Sequence, residues 1–333
     1  MRQTRILVVG PSWVGDMIMA QSLFKWLKFR DPECLIDLLA PEWSLPVIAR
    51  MPEVHKRLVL PFAHGELAFS QRWQLGQWLR PANYNRAIVL PRSMKAALVP
   101  YFAGIPRRTG FRGEMRYGVI NDRRPFDKSV LDQTVKRFLA LGLDRNEPLP
   151  EIPPPALRVD TENQQRLYSE LGLELDRPVI AMMPGAEYGP AKCWPLESFT
   201  ALANSLDSAG YHVWVLGSAK EQPLGEAIAS GSKALNLCGR TKLVDVVDLL
   251  AASAAAVSND SGLMHVAAAV GTHVVGIYGS TSPHFTPPLT AQKTLHYLDL
   301  DCSPCFQREC PLGHLRCLRE ITPERVLSSI VAN

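Results

Sequence analysis

The feature that most narrows the fold of this chain is the alternation of short apolar runs with longer helical patterns, in two series separated by a proline-rich stretch. The first series opens with RILVVG (5–10), MIMAQSLFKWLKFR (17–30) and LIDLLAP (35–41), and NRAIVL (85–90) gives it a further strand. Runs apolar on both faces belong to strands buried in a parallel sheet, and parallel neighbours must be joined by a crossover, usually a helix. The second series reads PVIAMMPG, a helix from about Pro195 to Ala209, HVWVLGS, a helix after Glu221, AAAVSND, the helix GLMHVAAAV, and VVGIYGS. PYFAGIP (100–106) is also strand-like. Residues 147–155, EPLPEIPPP, can continue neither a helix nor a central strand and read as a linker. With 333 residues and roughly 150 per domain, the pattern predicts two α/β domains, 1–150 and 156–333, with the last helix free to pack back on the first. Ligands of such sheets bind at the carboxyl ends of the strands, so function should lie in the strand-to-helix loops.

At 47% hydrophobic and 20% charged residues, the chain is an ordinary globular protein, neither disordered nor collagenous. It has no run near the ~18 apolar residues that a membrane-spanning helix needs. A net charge of +4 is too small for general nucleic-acid binding but suits an anionic ligand or an acidic lipid surface. The positive charge is concentrated, with Arg107, Arg108, Arg112, Arg116, Arg123, Arg124 and Lys128 set against Glu114, Asp122 and Asp127. The start of the chain reads as a buried strand rather than a secretory signal, which predicts a cytoplasmic protein whose seven cysteines are mostly thiols.

Four loops hold candidate chemistry. GPSWVGD (10–16) has neither the glycine spacing of a dinucleotide fingerprint nor the Gly-Lys-Ser/Thr of a P-loop. It leaves Asp16 at a helix start, either complementing the helix dipole or acting in catalysis. In PGAEYGPAKCWP (184–195), glycines and prolines stiffen a loop that sets Lys192 just before a helix, where an ammonium can act as a point charge on phosphate or simply face water. GSAKE (217–221) ends in Glu221, which could either bind a ribose diol or face water. NDSGLMH (259–265) precedes an apolar helix that Asp260 or Ser261 could cap; its first amides suit a diphosphate, and His265 is either part of that site or a core histidine. The donor-side loops contain no DxD-like acidic pair for a metal diphosphate. Cys302, Cys305, Cys310 and Cys317, with His314 among them, have the density of a metal site but not the spacing of a zinc ribbon. A structural zinc, reduced thiols or a disulfide, and another metal all remain open there.

Taken in order, PSWVGDMIMAQSL, PGAEYGPAKCWP, GSAKE and NDSGLMHVAAA resemble the loops of the ADP-heptose lipopolysaccharide heptosyltransferases of glycosyltransferase family 9, over nearly the whole chain. RTGFRGEMRYGVINDRR and FTPPL resemble the members that add the second heptose of the inner core. The resemblance implies an α/β glycosyltransferase B fold, two Rossmann-like domains facing a cleft, with the acceptor bound mainly by the first and ADP-heptose by the second. It implies inverting transfer of L-glycero-D-manno-heptose to the first heptose of a lipid A-linked inner-core oligosaccharide, at the cytoplasmic face of the inner membrane in peripheral contact with it. No nucleic acid and no catalytic cofactor are implied. By position, Asp16 matches the base, Lys192 the phosphate lysine, Glu221 the ribose ligand, and Asp260, Ser261, Gly262 and His265 the loop at diphosphate and sugar. Thr241, in CGRTKL, falls near the adenine.

Acceptor contacts are expected from Lys95, Arg112, Glu114 and Arg116. The chain departs from the family pattern at Ala186-Glu187-Tyr188, where the heptosyltransferases that add the first heptose have paired threonines on the diphosphate, and in the cysteine-rich segment. Another nucleotide-sugar transferase, a sugar-nucleotide epimerase or a non-catalytic nucleotide-binding module are the competing readings, and turnover of ADP-heptose separates them.

Overall fold

The computed structural model describes residues 3–62 and 65–331 and divides into two compact units, Met1–Pro155 and Ala156–Asn333. In the first, strands β1 (Arg5–Val9), β2 (Leu35–Ala40), β3 (Val54–Val59), β4 (Arg86–Val89), β5 (Arg107–Phe111) and β6 (Asp122–Arg124) form one parallel sheet in the order β3-β2-β1-β4-β5-β6. The helices are α1 (Val14–Arg30), α2 (Leu45–Ile48), α3 (Phe69–Leu79), α4 (Met94–Phe102) and α5 (Thr134–Ala140). The second unit runs α6 (Thr161–Leu171), β7 (Val179–Met183), α7 (Leu196–Ser208), β8 (His212–Val215), α8 (Gln222–Ser230), β9 (Leu235–Asn236), α9 (Leu243–Ala251) and β10 (Ala255–Asn259). It continues with α10 (Gly262–Ala269), β11 (His273–Ile277), β12 (Lys293–His296), α11 (Arg316–Arg319) and α12 (Pro323–Val331).

Its sheet order, β12-β11-β10-β7-β8-β9, repeats the first when each is counted from its own leading strand. Both are therefore doubly wound Rossmann-like sheets, with strand order reversing between β1 and β4 and between β7 and β10. Central strands are buried throughout, as their apolar runs require: β7 and β10 have no exposed residue. Gly10 closes β1 against α1 so tightly that an added Cβ would meet Met17 Cε at 2.8 Å. PYFAGIP is no strand; it is the end of α4, with Pro100 inside the helix, and β5 begins only at Arg107. Residues 147–155 carry no regular structure. The sequence pattern left α12 free to pack on the first unit. Its buried Val326 and Ile330 belong to the second unit's core, with Phe199, Leu202 and Leu206 of α7.

Candidate active site

At the second unit's switch point, β7 runs into the stiff loop 184–195 and β10 into Asp260-Ser261. A 3-10 turn, Pro190–Lys192, brings Lys192 Nζ to 2.7 Å from Asp260 Oδ2 and 3.3 Å from the Asp260 carbonyl. Asp260 is 5% exposed, and its carboxylate also accepts from Thr281 (2.6 Å) and Thr286 (3.3 Å), so both oxygens are used. Asn259 opens the NDSGLMH motif but carries no chemical role in the reading of it; it ties the two loops together, its amide donating to the Pro184 carbonyl at 2.7 Å and accepting from the Trp194 N–H at 2.9 Å. Only its place at the end of a buried strand could have pointed to it.

Neither candidate cap reaches the amides of α10. Ser261 is the N-cap residue but its hydroxyl pairs with Ser258 at 3.1 Å, leaving the first turn, starting at Gly262, without a side-chain cap. Unpaired N–H groups at a helix start attract an anion. His265, one turn on, is 4% exposed. Burial pulls its pKa down to about 4, against the attraction of Asp260 and helped by the Lys192 charge, so the imidazole is neutral at pH 7.

Glu221 caps the 3-10 turn Ala219–Glu221 in a capping box, its Oε2 accepting from the Ser218 N–H (2.7 Å) and hydroxyl (2.5 Å). It lies over Gly185 and Gly217, where an added Cβ would come within 2.5 and 2.8 Å of its side chain. Nearby, Gly239 brings the loop after β9 within 3.0 Å of Ala219 Cα, measured from an ideal Cβ, and the Thr241 hydroxyl is buried with no hydrogen-bond partner among the described residues.

In the first unit, Asp16 lies in the first turn of α1, after β1. Its charge acts on Arg137 of α5. Burial, and then Arg92, depress the Arg137 pKa, while Asp132 and Asp16 oppose them. Arg92, in the loop after β4, and Arg137 both stack on Phe126, at 4.4 and 5.0 Å from the ring centre. Lys95, in the first turn of α4, is half-buried in this same region. The first switch point thus carries a carboxylate among guanidinium groups.

The arginine segment differs from its reading as an anion-binding face. Arg116 is 3% exposed and donates to the carbonyls of Phe111 (2.5 Å), Pro91 (2.8 Å) and Ser93 (3.3 Å), so it holds its loop instead of facing an acceptor. Burial lowers its pKa to about 10, which keeps it charged at pH 7. Glu114 accepts from the Met94 N–H at 2.7 Å and so serves the start of α4. Arg108 donates to three carbonyls, while Arg107 and Arg124 pair with Asp122. Burial would raise the Asp122 pKa, yet hydrogen bonds from Arg124, Thr109 and Arg107 hold it at about 2. Arg112, Arg123 and Lys128 remain exposed.

The cysteine segment, remote in sequence, packs directly on the Lys192 loop. The Ala191 N–H donates to the Arg308 carbonyl at 3.0 Å, the Tyr188 hydroxyl to the Phe306 carbonyl at 2.7 Å, and the Phe306 N–H to the Ser280 carbonyl at 2.7 Å. Lys192 and Arg308 both stand over the Tyr188 ring, at 5.3 and 5.6 Å. Among the described residues no helix is long and apolar enough to cross a membrane.

Two Rossmann-like units, one with a carboxylate and the other with a lysine and an open helix start at its switch point, are the parts of a glycosyltransferase of the B fold class. A family model described as glycosyltransferase family 9 (heptosyltransferase) matches residues 72–316, and the chain belongs to that family. The lipopolysaccharide heptosyltransferase 2 of Escherichia coli K12 is 44% identical over 98% of each chain. The lipooligosaccharide heptosyltransferase 2 of Haemophilus influenzae is 40% identical, again over 98% of each. The solved E. coli ADP-heptose heptosyltransferase II superposes with a TM-score of 0.89 at 42% identity, covering 99% of this chain and 98% of that one.

Proposed function

We propose that the chain is an inverting heptosyltransferase that moves L-glycero-D-manno-heptose from ADP-heptose to the first heptose of the lipopolysaccharide inner core. The observation that carries this reading is the second switch point, where Lys192 is held beside the uncapped amides of α10 in a chain 44% identical to a heptosyltransferase 2. Lys192 and the α10 amides receive the diphosphate, Glu221 the ribose, and the Thr241 hydroxyl, which has no hydrogen-bond partner among the described residues, the adenine side. Ser261 and Gly262 form the rim of the anion site. Neutral His265 is available to a sugar hydroxyl, whereas Asp260 is a positioning group for Lys192.

In the reaction, Asp16 takes the proton of the acceptor hydroxyl as that oxygen forms a bond to the anomeric carbon. The bond from that carbon to the diphosphate oxygen breaks, and ADP leaves with its new charge met by Lys192 and the helix start. Displacement from the opposite face inverts the anomeric centre. No cofactor takes part. The Asp16 carboxylate and the Arg137 guanidinium interact through their charges. Arg112, exposed on the first unit, and Lys95, in the first turn of α4, are the remaining candidates for acceptor carboxylates and phosphates. Exposed Arg123, which stands over the exposed Tyr117 ring at 5.0 Å, and exposed Lys128 suit peripheral contact with an anionic membrane.

The test is transfer from ADP-heptose to a heptosylated acceptor, with and without EDTA. Asp16→Asn should lower kcat by on the order of 10² to 10⁴ while ADP still binds. Wild-type turnover by that variant would remove the base assignment; a preference for another sugar nucleotide would replace the donor assignment.

A further inference from the structure

The loop after β11, residues 278–289, contains the stretch FTPPL and supplies none of the groups assigned to the donor, yet two of its hydroxyls end on Asp260. Thr281 Oγ1 donates to Asp260 Oδ2 at 2.6 Å, the same oxygen that Lys192 Nζ meets at 2.7 Å. Thr286 Oγ1 donates to Oδ1 at 3.3 Å. Thr281 is 7% exposed and Asp260 5%, which leaves water little access to the carboxylate.

The loop is built to hold these hydroxyls. Tyr278 is fully buried, and its hydroxyl donates to the Thr286 carbonyl at 2.8 Å. The N–H groups of Phe285 and Thr286 both donate to the Ser282 carbonyl, at 3.1 and 3.4 Å, and Lys293 Nζ donates to the Pro288 carbonyl at 3.0 Å. Pro287 and Pro288, each with φ fixed by its ring, stiffen the chain beyond Thr286.

Donor binding sets a problem at Asp260. A diphosphate draws the Lys192 ammonium toward itself, and a buried carboxylate that loses its paired cation is destabilised unless hydrogen bonds satisfy it. His265, beside this pair, is neutral at pH 7 and brings no replacement charge. The two threonine hydroxyls compete with Lys192 for the carboxylate and not for the diphosphate, so they stay on Asp260 whichever partner the lysine takes.

We infer that Thr281 and Thr286 are positioning residues of the donor site: they hold the Asp260 carboxylate satisfied while Lys192 is on the diphosphate, and so set how readily the lysine changes partner. This rests on the donor reading given above, in which Lys192 meets phosphate. Thr281 carries the larger share, because its bond is the shorter and falls on the oxygen that Lys192 vacates. In the unliganded protein the lysine still covers that oxygen, so loss of Thr281 harms the ADP-bound state more than the free one. The difference appears as weaker binding.

ADP binding is measured by titration calorimetry, and donor and acceptor kinetics by transfer, for the wild type, Thr281→Val, Thr281→Ser and Thr286→Val, with urea unfolding as a check that each variant is folded. Thr281→Val keeps the shape and removes the hydroxyl. It should weaken ADP on the order of tenfold and raise donor KM by a similar factor, more than it lowers kcat, with acceptor KM unmoved. Thr281→Ser should restore most of the affinity, and Thr286→Val should show a smaller loss in the same direction. Introduced into Lys192→Ala, Thr281→Val should cost no further ADP affinity, because no lysine is left to change partner; a threonine that only shapes its loop would cost the same factor in both backgrounds. Wild-type affinity in Thr281→Val, equal losses in the two backgrounds, or a serine variant as weak as the valine one overturns the inference. Should Thr281→Val fail to fold, Thr286→Val is compared in the same two backgrounds, and equal ADP affinity with and without its hydroxyl overturns it likewise. A wild-type protein that binds no ADP removes the donor reading itself, a result distinct from folded variants that bind ADP regardless of either threonine, which removes the positioning role alone.

Discussion

The two units share one strand order, yet their switch points are filled in different ways. In the first, guanidinium groups dominate, and most of those nearby are bonded to main-chain carbonyls or to Asp122. In the second, one lysine is paired with one buried aspartate, and the neighbouring helix start is left without a side-chain cap. A cluster of arginines on the sequence is thus mostly architecture, and a single lysine is mostly site. Charge density along the chain is a poor guide to function when the charges are long enough to reach their own backbone.

Lys192→Ala against Arg116→Ala draws the contrast most sharply. Each removes a cation from a buried setting, and each should lower stability by about 3 kcal/mol, the first by leaving Asp260 unpaired and the second by leaving three carbonyls unmet. Only Lys192→Ala should also weaken ADP, on the order of a hundredfold. Urea unfolding beside calorimetric titration of ADP checks both, and equal ADP binding by the two variants would erase the distinction.

Acid should separate the units next. His265 and His296, both in the second, have pKa values near 4 through burial. Unfolding lets them take up protons below about 6.5, so their contribution is lost as pH falls from ~6.5 to ~4. Asp122, in the first, is held at about 2, and its contribution of about 2 kcal/mol disappears only between ~4 and ~2. Hydrogen exchange followed down this range should show the second unit opening first; simultaneous opening would deny the difference.

The smallest effect is expected at Arg112. Arg112→Ala should change stability by less than about 0.5 kcal/mol while raising acceptor KM more than donor KM, an effect that shrinks as salt rises. Equal change in both constants would make Arg112 another solvated surface group.

Much of this was legible in the sequence, and the exceptions have physical reasons. The strands written as apolar runs, β1, β2, β4, β7, β8, β10 and β11, are those with buried neighbours on both sides or nearly so. β3 (VHKRLV) and β6 (DRR) are edge strands, where charge is tolerated and discourages further pairing, so no apolar signal marks them. The loops at the switch points showed their glycines and charged groups. Arg112 and Arg116, four residues apart, look alike in the sequence, and only the path of the 112–118 loop buries one and exposes the other. The contact of residues 306–308 with 188–191 spans more than a hundred positions, with no local pattern to announce it.

The Lys192–Asp260 pair has a kinetic consequence. At 2.7 Å the two charges form a short dipole, which an anion several Debye lengths away does not sense. The pair therefore gives little long-range steering, and its share of the association rate should vary little with ionic strength. The lysine's charge acts only at contact range, once the arriving phosphate competes with Asp260 for Nζ. When ADP departs, the carboxylate stands ready to take its place, so the site exchanges one anion for another instead of baring an unpaired cation between turnovers.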